Sequence, residues 1–357
     1  MNKKHKIVVG ISLFLLLGLT ACSNKKEEAV INKEAYSDQQ FLMGTYVKMQ
    51  IYDDGKEAVL KKGFDRVKEL AAEITVNEPG SEIDKINEQA GIKPVKVSDD
   101  VYPLIKKAYQ YSEESDDGFD LSIGPITQLW HIGFDDARKP EQSEIDEALK
   151  LVKHEQVILD DKEQTVYLEK KGMELDLGAI AKGYITDEVV KVFKANDVTT
   201  AIVDLGGNVY VLGHSPRKEN SDWKVGIQDP NQARNTIVGS VPASNQSLVT
   251  SGIYERNLKV NGETFHHLFN PKTGYPFDNE IAGVTIISQE SIDGDGLSTA
   301  IFSMGVKEGM AHINQLKNVD AIFVTLDDKL YLSSGVKETF ELNKESGYEI
   351  GDIRELK

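Results

Sequence analysis

The clearest pattern of apolar and polar positions lies at residues 173–187, MELDLGAIAKGYITD. Apolar and polar residues alternate up to Leu177, which is the period of a half-buried strand. After Gly178 the apolar positions recur at steps of three to five residues, which predicts an amphipathic helix. A strand that turns directly into a helix presents unpaired amides and the positive end of the helix dipole, and both favour an anion. The pattern therefore indicates an anion site beside Asp176 and Lys182, although an ordinary strand-to-helix connection has the same pattern.

Similar patterns along the rest of the chain predict a mixture of strands and helices. Alternation and turn signals predict strands at residues 41–52, 157–159, 165–168, 201–204, 209–212, 223–228, 236–241, 247–251, 281–288, 321–326 and 330–332, and a strand from 266 that runs into a Pro-Gly turn. Helical spacing or a capped start predicts helices at residues 56–74, 81–87, 99–115 and 143–151, and one that opens at 293–300. Because strands and helices do not alternate strictly, we predict an α+β fold with a large mixed, mainly antiparallel sheet and flanking helices. The chain after the first forty residues is long enough for one large domain or two intimately packed lobes, and we predict two lobes with the site between them.

The start of the chain has the pattern of a secretory signal. A basic stretch at residues 3–6 precedes an apolar run over 7–19, which is too short for a comfortable membrane span. Leu-Thr-Ala-Cys follows, and Cys22 is the only cysteine of the chain. This is where a bacterial lipoprotein signal places the residue that is lipidated, so we predict a signal peptide at 1–21 and an extracytoplasmic protein anchored to the cell membrane through Cys22. The alternative is a chance cysteine in an uncleaved signal.

The segment that follows is polar and charged. Residues 23–40 show no sustained apolar pattern, so we expect the lipidated cysteine and a flexible tether to occupy 22–40 and one catalytic domain to occupy 41–357. With 41 Lys and Arg against 58 Asp and Glu, the net charge is -17. This charge argues against a nucleic-acid partner and does not identify a reaction.

One group of candidate residues is rich in oxygen. It contains Asp176, the backbone carbonyl of Ala179, Asp295, Ser298 and Thr299. Carboxylate, hydroxyl and carbonyl oxygens suit a hard cation such as Mg2+, which would also neutralise a diphosphate. Asp295 and Thr299 are four residues apart, so a helix would place both on one face. The alternative is that Asp295 or Ser298 only caps this helix.

A second candidate group is the histidine pair His266-His267 before Asn270-Pro271. A histidine there is suited to act as a base toward a hydroxyl nucleophile. Zinc is disfavoured because no cysteine is near and HExxH spacing is absent from the sequence. The sequence also lacks GxxxxGK[ST], GxGxxG after a strand and GxSxG, so ordinary nucleotide-binding folds are not supported.

Short motifs run in a fixed order along nearly all of the chain after the predicted tether. They are Met43-Gly44-Thr45, Gly118-Phe119-Asp120 with Gly124-Pro125, Asp176-Leu177-Gly178-Ala179-Ile180-Ala181-Lys182-Gly183, Asp204-Leu205-Gly206-Gly207-Asn208, Thr250-Ser251-Gly252, His267 with Pro271-Lys272-Thr273-Gly274, and Asp295 with Thr299. In this order they resemble the bacterial FAD:protein FMN transferases, whose members are often lipoproteins. The resemblance implies magnesium-dependent cleavage of FAD, transfer of FMN through its phosphate to a threonine of an acceptor protein, and release of AMP.

The resemblance also implies roles for individual residues. It implies FAD contacts at Met43, Gly118, Phe119, Asp120, Asp176 and Lys182 and near Phe269. It implies magnesium ligands at the Ala179 carbonyl, Asp295 and Thr299, with Ser298 where some relatives have a further aspartate. His267 resembles the family histidine closest to the transfer chemistry, so we expect His267 and Asp295 to be catalytic, with His267 or a carboxylate as the base. Asn77 stands where many relatives carry a tyrosine that would pack on the flavin nucleotide, so loosened FAD binding or competition from water is an open alternative.

The acceptor is expected to be a separate protein with an Asp-Gly/Ser-x-x-Ser/Thr-Gly-Ala-Thr-like motif. Residues 293–300 of this chain resemble that motif superficially but lack its Gly-Ala-Thr ending. Two other functions remain in play: a magnesium-dependent FAD pyrophosphatase that gives FMN and AMP, and a lipoprotein that only binds flavin. Binding alone needs no metal beside the diphosphate, so Asp295 and Thr299 argue against the last of these.

Overall fold

The computed structural model describes residues 29–115, 118–218, 221–233 and 235–356. The predicted signal peptide and the predicted lipidation site at Cys22 lie outside the described residues. Of the helices in these ranges, none combines the length and the apolar character that a membrane crossing requires.

Strands occur along the whole of the described chain. In chain order they are β1 (Ile31–Leu42), β2 (Thr45–Asp53), β3 (Val95–Lys96), β4 (Val157–Asp160), β5 (Thr165–Leu168), β6 (Ala201–Leu205), β7 (Asn208–Leu212), β8 (Trp223–Gln228), β9 (Ile237–Ala243), β10 (Gln246–Gly252), β11 (Asn257–Val260), β12 (Glu263–His266), β13 (Ile281–Ser288), β14 (Asp320–Thr325), β15 (Lys329–Leu332), β16 (Glu341–Leu342) and β17 (Glu349–Ile350).

Helices connect and cover these strands. They are α1 (Glu57–Ile74), α2 (Glu82–Glu88), α3 (Val101–Glu114), α4 (Gly124–Trp130), α5 (Gln142–Leu149), α6 (Ala181–Ala195) and α7 (Ser291–Ile313), with short 3-10 turns at His154–Gln156 and Ile353–Glu355. Gly305 interrupts α7 with a φ of 76° and a ψ of 176°. Ser81 caps α2, because its hydroxyl accepts from the amide of Asp84 at 2.8 Å.

The main sheet has nine strands in the order β1-β2-β6-β7-β10-β13-β14-β15-β17. Its neighbouring strands pair antiparallel except for β15 and β17, which pair parallel. Smaller sheets are formed by β16-β9-β8, by β3-β5-β4 and by β11-β12. This arrangement confirms the predicted α+β fold with a mainly antiparallel sheet.

Three groups of buried apolar side chains stabilise the described part of the fold. The largest lies between one face of the main sheet and helices α1, α6 and α7. The second lies between the opposite face and the β16-β9-β8 sheet, around Trp223 and Phe340. The third surrounds Trp130 at the end of α4 and includes Phe269. The helices that carry Lys182 and Asp295 therefore pack side by side on one face of the sheet.

The predicted tether was wrong beyond residue 30. Residues 31–42 form β1, which pairs with β2 in a continuous register from Tyr36↔Ile51 to Leu42↔Thr45. Every side chain of β1 is exposed or half-buried, so the strand depends on backbone hydrogen bonds and leaves little apolar pattern in the sequence. The predicted strand at 41–52 is in fact interrupted by a turn at Met43 and Gly44, whose φ angles are 53° and 71°.

The predicted strand at residues 173–177 was also wrong. Met173, Leu175 and Leu177 are buried as the alternation requires, but the segment pairs only through an isolated bridge between Ile123 and Glu174. The side chain of Asn87 bonds to both backbone groups of Leu175, at 2.8 and 3.1 Å. An amide side chain thus supplies the hydrogen bonds that a neighbouring strand would supply.

One further prediction about strands was wrong, and two of the predicted strands lie outside the main sheet. Strands β8 and β9 pair with β16 in a separate sheet and do not extend the main one. The strand predicted from residue 266 ends there, since β12 covers Glu263–His266. The alternation identified β8 and β9 but not β16, which pairs with β9, and the hairpin of β11 with β12 ends the strand at His266.

Candidate active site

The start of α6 and the first turns of α7 approach closely at a glycine. A Cβ atom on Gly183 would lie 2.4 Å from the carbonyl oxygen of Ser291 and 2.8 Å from Cβ of Asp295. The absence of a side chain therefore lets the two helices meet. At this contact the amide of Gly183 donates to Asp295 Oδ2 at 2.8 Å, and Lys182 Nζ lies 3.4 Å from Asp295 Oδ1.

Asp295 is a buried carboxylate, with 2% of its surface exposed. Burial raises its pKa, while Lys182 and the amide of Gly183 act in the opposite direction. A carboxylate removed from water is stabilised further by a cation that approaches it. Asp295 therefore has the environment expected of a ligand for a hard cation.

The carbonyl of Ala179 lies on the loop that leads into α6. Ala179 precedes the N-cap of this helix, Ile180, whose carbonyl accepts the first helical hydrogen bond from the amide of Tyr184 at 3.2 Å, while the amide of Gly183 donates to Asp295. The Ala179 carbonyl therefore lies outside the hydrogen-bond series of the helix. Within the described ranges no group of three or more His, Cys, Asp or Glu side chains could hold a metal ion. A metal at Asp295 would consequently need backbone and hydroxyl oxygens as its other ligands.

Ser298 and Thr299 follow Asp295 on α7. Ser298 is fully buried, and its hydroxyl donates to the carbonyl of Asp295 at 2.8 Å and shares a 2.7 Å hydrogen bond with Ser251. Thr299 is 8% exposed. These two hydrogen bonds engage the hydroxyl of Ser298 with other protein atoms. The hydroxyl of Thr299, one residue further along α7, is the other candidate ligand for a cation.

Neither Asp295 nor Ser298 caps α7. The helix begins after Glu290, and its first amides, those of Ser291 and Ile292, donate to the carboxylate of Asp187 at 2.8 Å each. Burial raises the pKa of Asp187 to about 7, against the effect of these two hydrogen bonds. The capping alternative for Asp295 is therefore excluded, and Asp187 on α6 has the capping role that the sequence pattern did not reveal.

Asp176 accepts from one donor on α4 and one donor on its own segment. The hydroxyl of Thr127 donates to Asp176 Oδ2 at 2.6 Å, and the amide of Gly178 donates to Asp176 Oδ1 at 2.8 Å. Thr127 lies on α4, 49 residues earlier in the chain. No sequence signal marked Thr127, because a single threonine in a short helix is not distinctive.

His267 lies beside two positive charges. Its Nδ1 is 3.3 Å from the backbone carbonyl oxygen of Arg256, and a carbonyl only accepts, so Nδ1 carries the proton. His267 is half-buried, burial lowers its pKa, and the charges of Arg256 and Lys182 lower it further. The ring is thus neutral near neutral pH, with Nε2 left as a proton acceptor.

The neighbouring histidine has a structural position. Burial lowers the pKa of His266, its Nε2 lies 2.9 Å from the carbonyl oxygen of Phe277, and its Nδ1 accepts from the amide of Leu268. Both ring nitrogens are therefore engaged by the backbone. The structure thus separates the pair into a packed His266 and an available His267.

The segment at Gly118, Phe119 and Asp120 is packed tightly against the rest of the protein. A Cβ atom on Gly118 would lie 2.0 Å from the hydroxyl oxygen of Ser303, and Phe119 is 3% exposed. Asp120 Oδ1 accepts from the amide of Ser122 at 2.8 Å and from its hydroxyl at 2.7 Å. These contacts give the segment a structural role, and its contact with FAD stays a prediction.

Met43, Asn77 and Phe269 occupy three different surroundings. The carbonyl of Met43 is 3.5 Å from Arg256 Nη2, which connects the β1–β2 turn to the surroundings of His267. Asn77 is exposed after α1, and its Oδ1 accepts from Gln128 at 3.3 Å, next to Thr127 in the chain. Phe269 is 7% exposed and packs on Trp130, with ring centroids 5.7 Å apart. Their contacts with FAD also stay predictions.

The sequence of the chain is similar to that of known proteins. The sequence model of the ApbE family matches residues 43–323, and the chain belongs to that family. It is similar to the FAD:protein FMN transferase of Klebsiella pneumoniae (strain 342), with 39% identity over 90% of this chain and 98% of the relative. It is also similar to the FAD:protein FMN transferase of Treponema pallidum (strain Nichols), with 32% identity over 92% of this chain and 93% of the relative.

Solved structures agree with this assignment. The ApbE protein from Thermotoga maritima superposes with a TM-score of 0.79 at 28% identity, covering 86% of this chain and 99% of that one. The flavin transferase ApbE from Vibrio cholerae, at 21% identity and a TM-score of 0.74, covers 85% of this chain and 99% of that one, and shares the fold.

Proposed function

We propose that this chain is an FAD:protein FMN transferase. It transfers FMN from FAD to a threonine hydroxyl of a separate acceptor protein, forms a phosphodiester bond and releases AMP. The names of the relatives support the reaction, and the structural observation that carries it is the buried Asp295 held by Lys182 and the amide of Gly183. The charge of Lys182 also acts on His267 and lowers its pKa, so the site combines a cation and a carboxylate with a histidine that is suited to accept a proton from a hydroxyl.

Magnesium fits the donor set at this place. Asp295 supplies a buried carboxylate, Ala179 supplies a backbone carbonyl that precedes the N-cap of α6, and Thr299 supplies a hydroxyl. Oxygen ligands of these three kinds suit Mg2+. When bound, the ion would neutralise charge on the diphosphate and make AMP a better leaving group.

The side chains of the protein have separate tasks in this reaction. Lys182 places a positive charge next to Asp295, where the negatively charged phosphates must lie. His267 accepts the proton of the threonine hydroxyl at Nε2, because its Nδ1 proton is directed to the carbonyl of Arg256. The hydroxyl oxygen then attacks the FMN phosphorus in line with the departing AMP.

Hydrolysis of FAD is the second candidate function, and Asn77 is the observation that favours it. The side chain of Asn77 is exposed and contacts Gln128 on α4, close in the chain to the residue that holds Asp176. An asparagine covers less of a bound flavin nucleotide than a tyrosine would, so water has easier access to the phosphates. The products would then be FMN and AMP with no modified protein.

The place of the reaction is part of the proposal. The basic start, the apolar run at 7–19 and Leu-Thr-Ala-Cys support a lipoprotein that is anchored to the cell membrane through Cys22 and acts outside the cytoplasm. The acceptor would then be another extracytoplasmic protein. The mass of the protein isolated from membranes checks this, since a lipidated Cys22 adds a fixed increment to the chain that begins there.

The test is a transfer assay with the full-length chain, FAD, Mg2+ and a peptide that carries Asp-Gly-x-x-Ser-Gly-Ala-Thr. Intact mass of the peptide is measured together with AMP and free FMN. The peptide is expected to gain one FMN phosphodiester, and EDTA and Asp295→Asn are each expected to abolish the gain. AMP and free FMN with an unmodified peptide would support the pyrophosphatase, and FAD binding without turnover would support a binding protein.

A matched control lies two residues away on the same helix. Asp293 pairs with Lys107 at 2.8 Å and accepts from the hydroxyl of Tyr111 at 2.8 Å, so it faces α3 and not α6. Asp293→Asn removes the same charge from α7 and is expected to leave transfer within about threefold of the unmodified chain. Equal losses in Asp293→Asn and Asp295→Asn would contradict the special role of Asp295.

A further inference from the structure

Arg256, directly before β11, lies between two loops that lack side chains where they approach it. A Cβ atom on Gly44 would lie 3.1 Å from Arg256 Nη2, and a Cβ atom on Gly133 would lie 2.9 Å from Arg256 Cδ. Both glycines have left-handed φ angles, 71° and 102°. The β1–β2 turn and the loop after α4 are therefore shaped around this side chain.

The guanidinium of Arg256 has hydrogen-bond donors to spare. Its side chain is exposed, and among the described residues no carboxylate lies within ion-pair distance of it, whereas Arg66, Arg138 and Arg354 each pair with one. Its one contact with an acceptor is long, 3.5 Å from Nη2 to the carbonyl of Met43. A guanidinium has five N–H donors, so most of its capacity is directed at solvent or at a ligand.

Arg256 belongs to the surroundings of the reacting groups. Its backbone carbonyl fixes the Nδ1 side of His267, and its charge acts on that ring together with the charge of Lys182. Lys182 is already next to Asp295, with 3.4 Å between the charged atoms. Arg256 is therefore the cation at this site that has no anionic partner among the described residues.

We propose that Arg256 binds a phosphate oxygen of the FAD diphosphate, which makes it a substrate-binding residue of the reaction. A planar guanidinium binds phosphate oxygens with two parallel hydrogen bonds. The guanidinium of Arg256 can do so because no carboxylate of the described residues lies within ion-pair distance of it. This inference rests on the proposed function, because that function supplies the diphosphate. The competing explanation is that Arg256 only holds the two glycine loops together.

The test compares ligands with and without phosphate. FAD binding to the full-length chain is followed by flavin fluorescence in EDTA, with ADP as a competitor and riboflavin as the ligand without phosphate. Arg256→Gln is expected to weaken FAD and ADP by about tenfold to a hundredfold, the loss expected for a hydrogen bond to a charged group, and to leave riboflavin unchanged. Arg256→Lys keeps the positive charge but lacks the planar pair of N–H donors, so it is expected to recover part of the affinity for FAD and ADP.

Arg138→Gln is the matched control. Arg138 lies on the same loop after α4 but pairs with Glu144 at 2.7 Å, so its loss is expected to leave FAD affinity unchanged. Unchanged FAD binding in Arg256→Gln, or an equal loss for riboflavin and FAD, would overturn the proposal and leave Arg256 as a loop-positioning residue. The proposed function fails separately: a wild-type chain that binds FAD without releasing AMP would refute transfer, while the comparison of ligands would still decide the role of Arg256.

Discussion

Gly183→Ala tests whether the contact between α6 and α7 positions Asp295. Alanine is a better helix former than glycine, so helix propensity alone would raise the free energy of unfolding by about 1 kcal/mol. The new Cβ atom, however, would lie 2.4 Å from the carbonyl oxygen of Ser291 and 2.7 Å from Cα of Ile292. These are backbone atoms of α7 that cannot rotate away, so the helices must separate.

The overpacking decides the sign of the change. Forcing extra atoms into a packed interior costs about 1–3 kcal/mol, and rigid backbone neighbours place Gly183→Ala at the upper end. After the gain in helix propensity is subtracted, we expect a net loss of about 2 kcal/mol. Separation of the helices also lengthens the 2.8 Å hydrogen bond from the amide of Gly183 to Asp295. A misplaced catalytic group lowers turnover by about a hundredfold, so AMP release should fall far more than stability.

The assay is urea unfolding followed by circular dichroism, together with AMP release from FAD. Gly283→Ala is the control, because a Cβ atom on this buried glycine of β13 would meet its nearest neighbour, the carbonyl oxygen of Ser251, at an ordinary 3.6 Å. Its free energy of unfolding should stay within about 1 kcal/mol of the unmodified chain. A Gly183→Ala variant as stable as the unmodified chain would refute the reasoning, since helix propensity would then outweigh the contact with α7.

Three further predictions concern neighbouring positions. Asn77→Tyr should lower the ratio of free FMN to peptide-bound FMN by about fivefold, because an aromatic contact of about 1 kcal/mol would hold the flavin nucleotide, and an unchanged ratio in the mass assay would contradict this. Thr127→Val removes the 2.6 Å hydrogen bond to Asp176 and should weaken FAD binding by about tenfold in a fluorescence titration, and unchanged affinity would show that Asp176 does not contact FAD through this arrangement. Asp187 has a pKa raised to about 7 in the folded chain, so its stabilising contribution is complete below its ordinary pKa and is lost as the pH rises through 7. The stability of the unmodified chain relative to Asp187→Asn, measured by urea unfolding, should therefore fall between pH 4 and pH 8, and a rise would mean that the charged carboxylate is the better cap.

The elements that the sequence predicted well are those whose burial is repeated within the element itself. In α1 the buried positions Phe64, Val67, Leu70 and Ile74 recur at helical spacing, and β13 is buried throughout and apolar except at Thr285 and Ser288. Such patterns are local, because apolar residues stand at the positions of an element that face the core. The types of chemical group at the site could also be predicted from the sequence, since Asp295 and His267 stand in recognisable motifs.

The sequence was a poor guide where a distant partner decides the structure. β1 is a strand because β2 offers hydrogen bonds to its backbone, and its exposed side chains give no sign of this. Residues 173–177 alternate as a strand does, yet the side chain of Asn87 satisfies the backbone of Leu175 from 88 residues away. Hydrogen-bond partners are matters of tertiary position, and the alternation of apolar residues records burial only.

By itself, then, the sequence determined the mixed α+β composition, the order of the motifs and the residue types suited to a hard cation and a proton acceptor. Only the tertiary structure decided which of them meet. Lys182 and Asp295 are 113 residues apart and come together because Gly183 lets α6 touch α7. Arg256 reaches the same place because two glycine loops leave room for its side chain. The physical reason is that local patterns encode burial, whereas a site is made by contacts between segments that are remote in the chain.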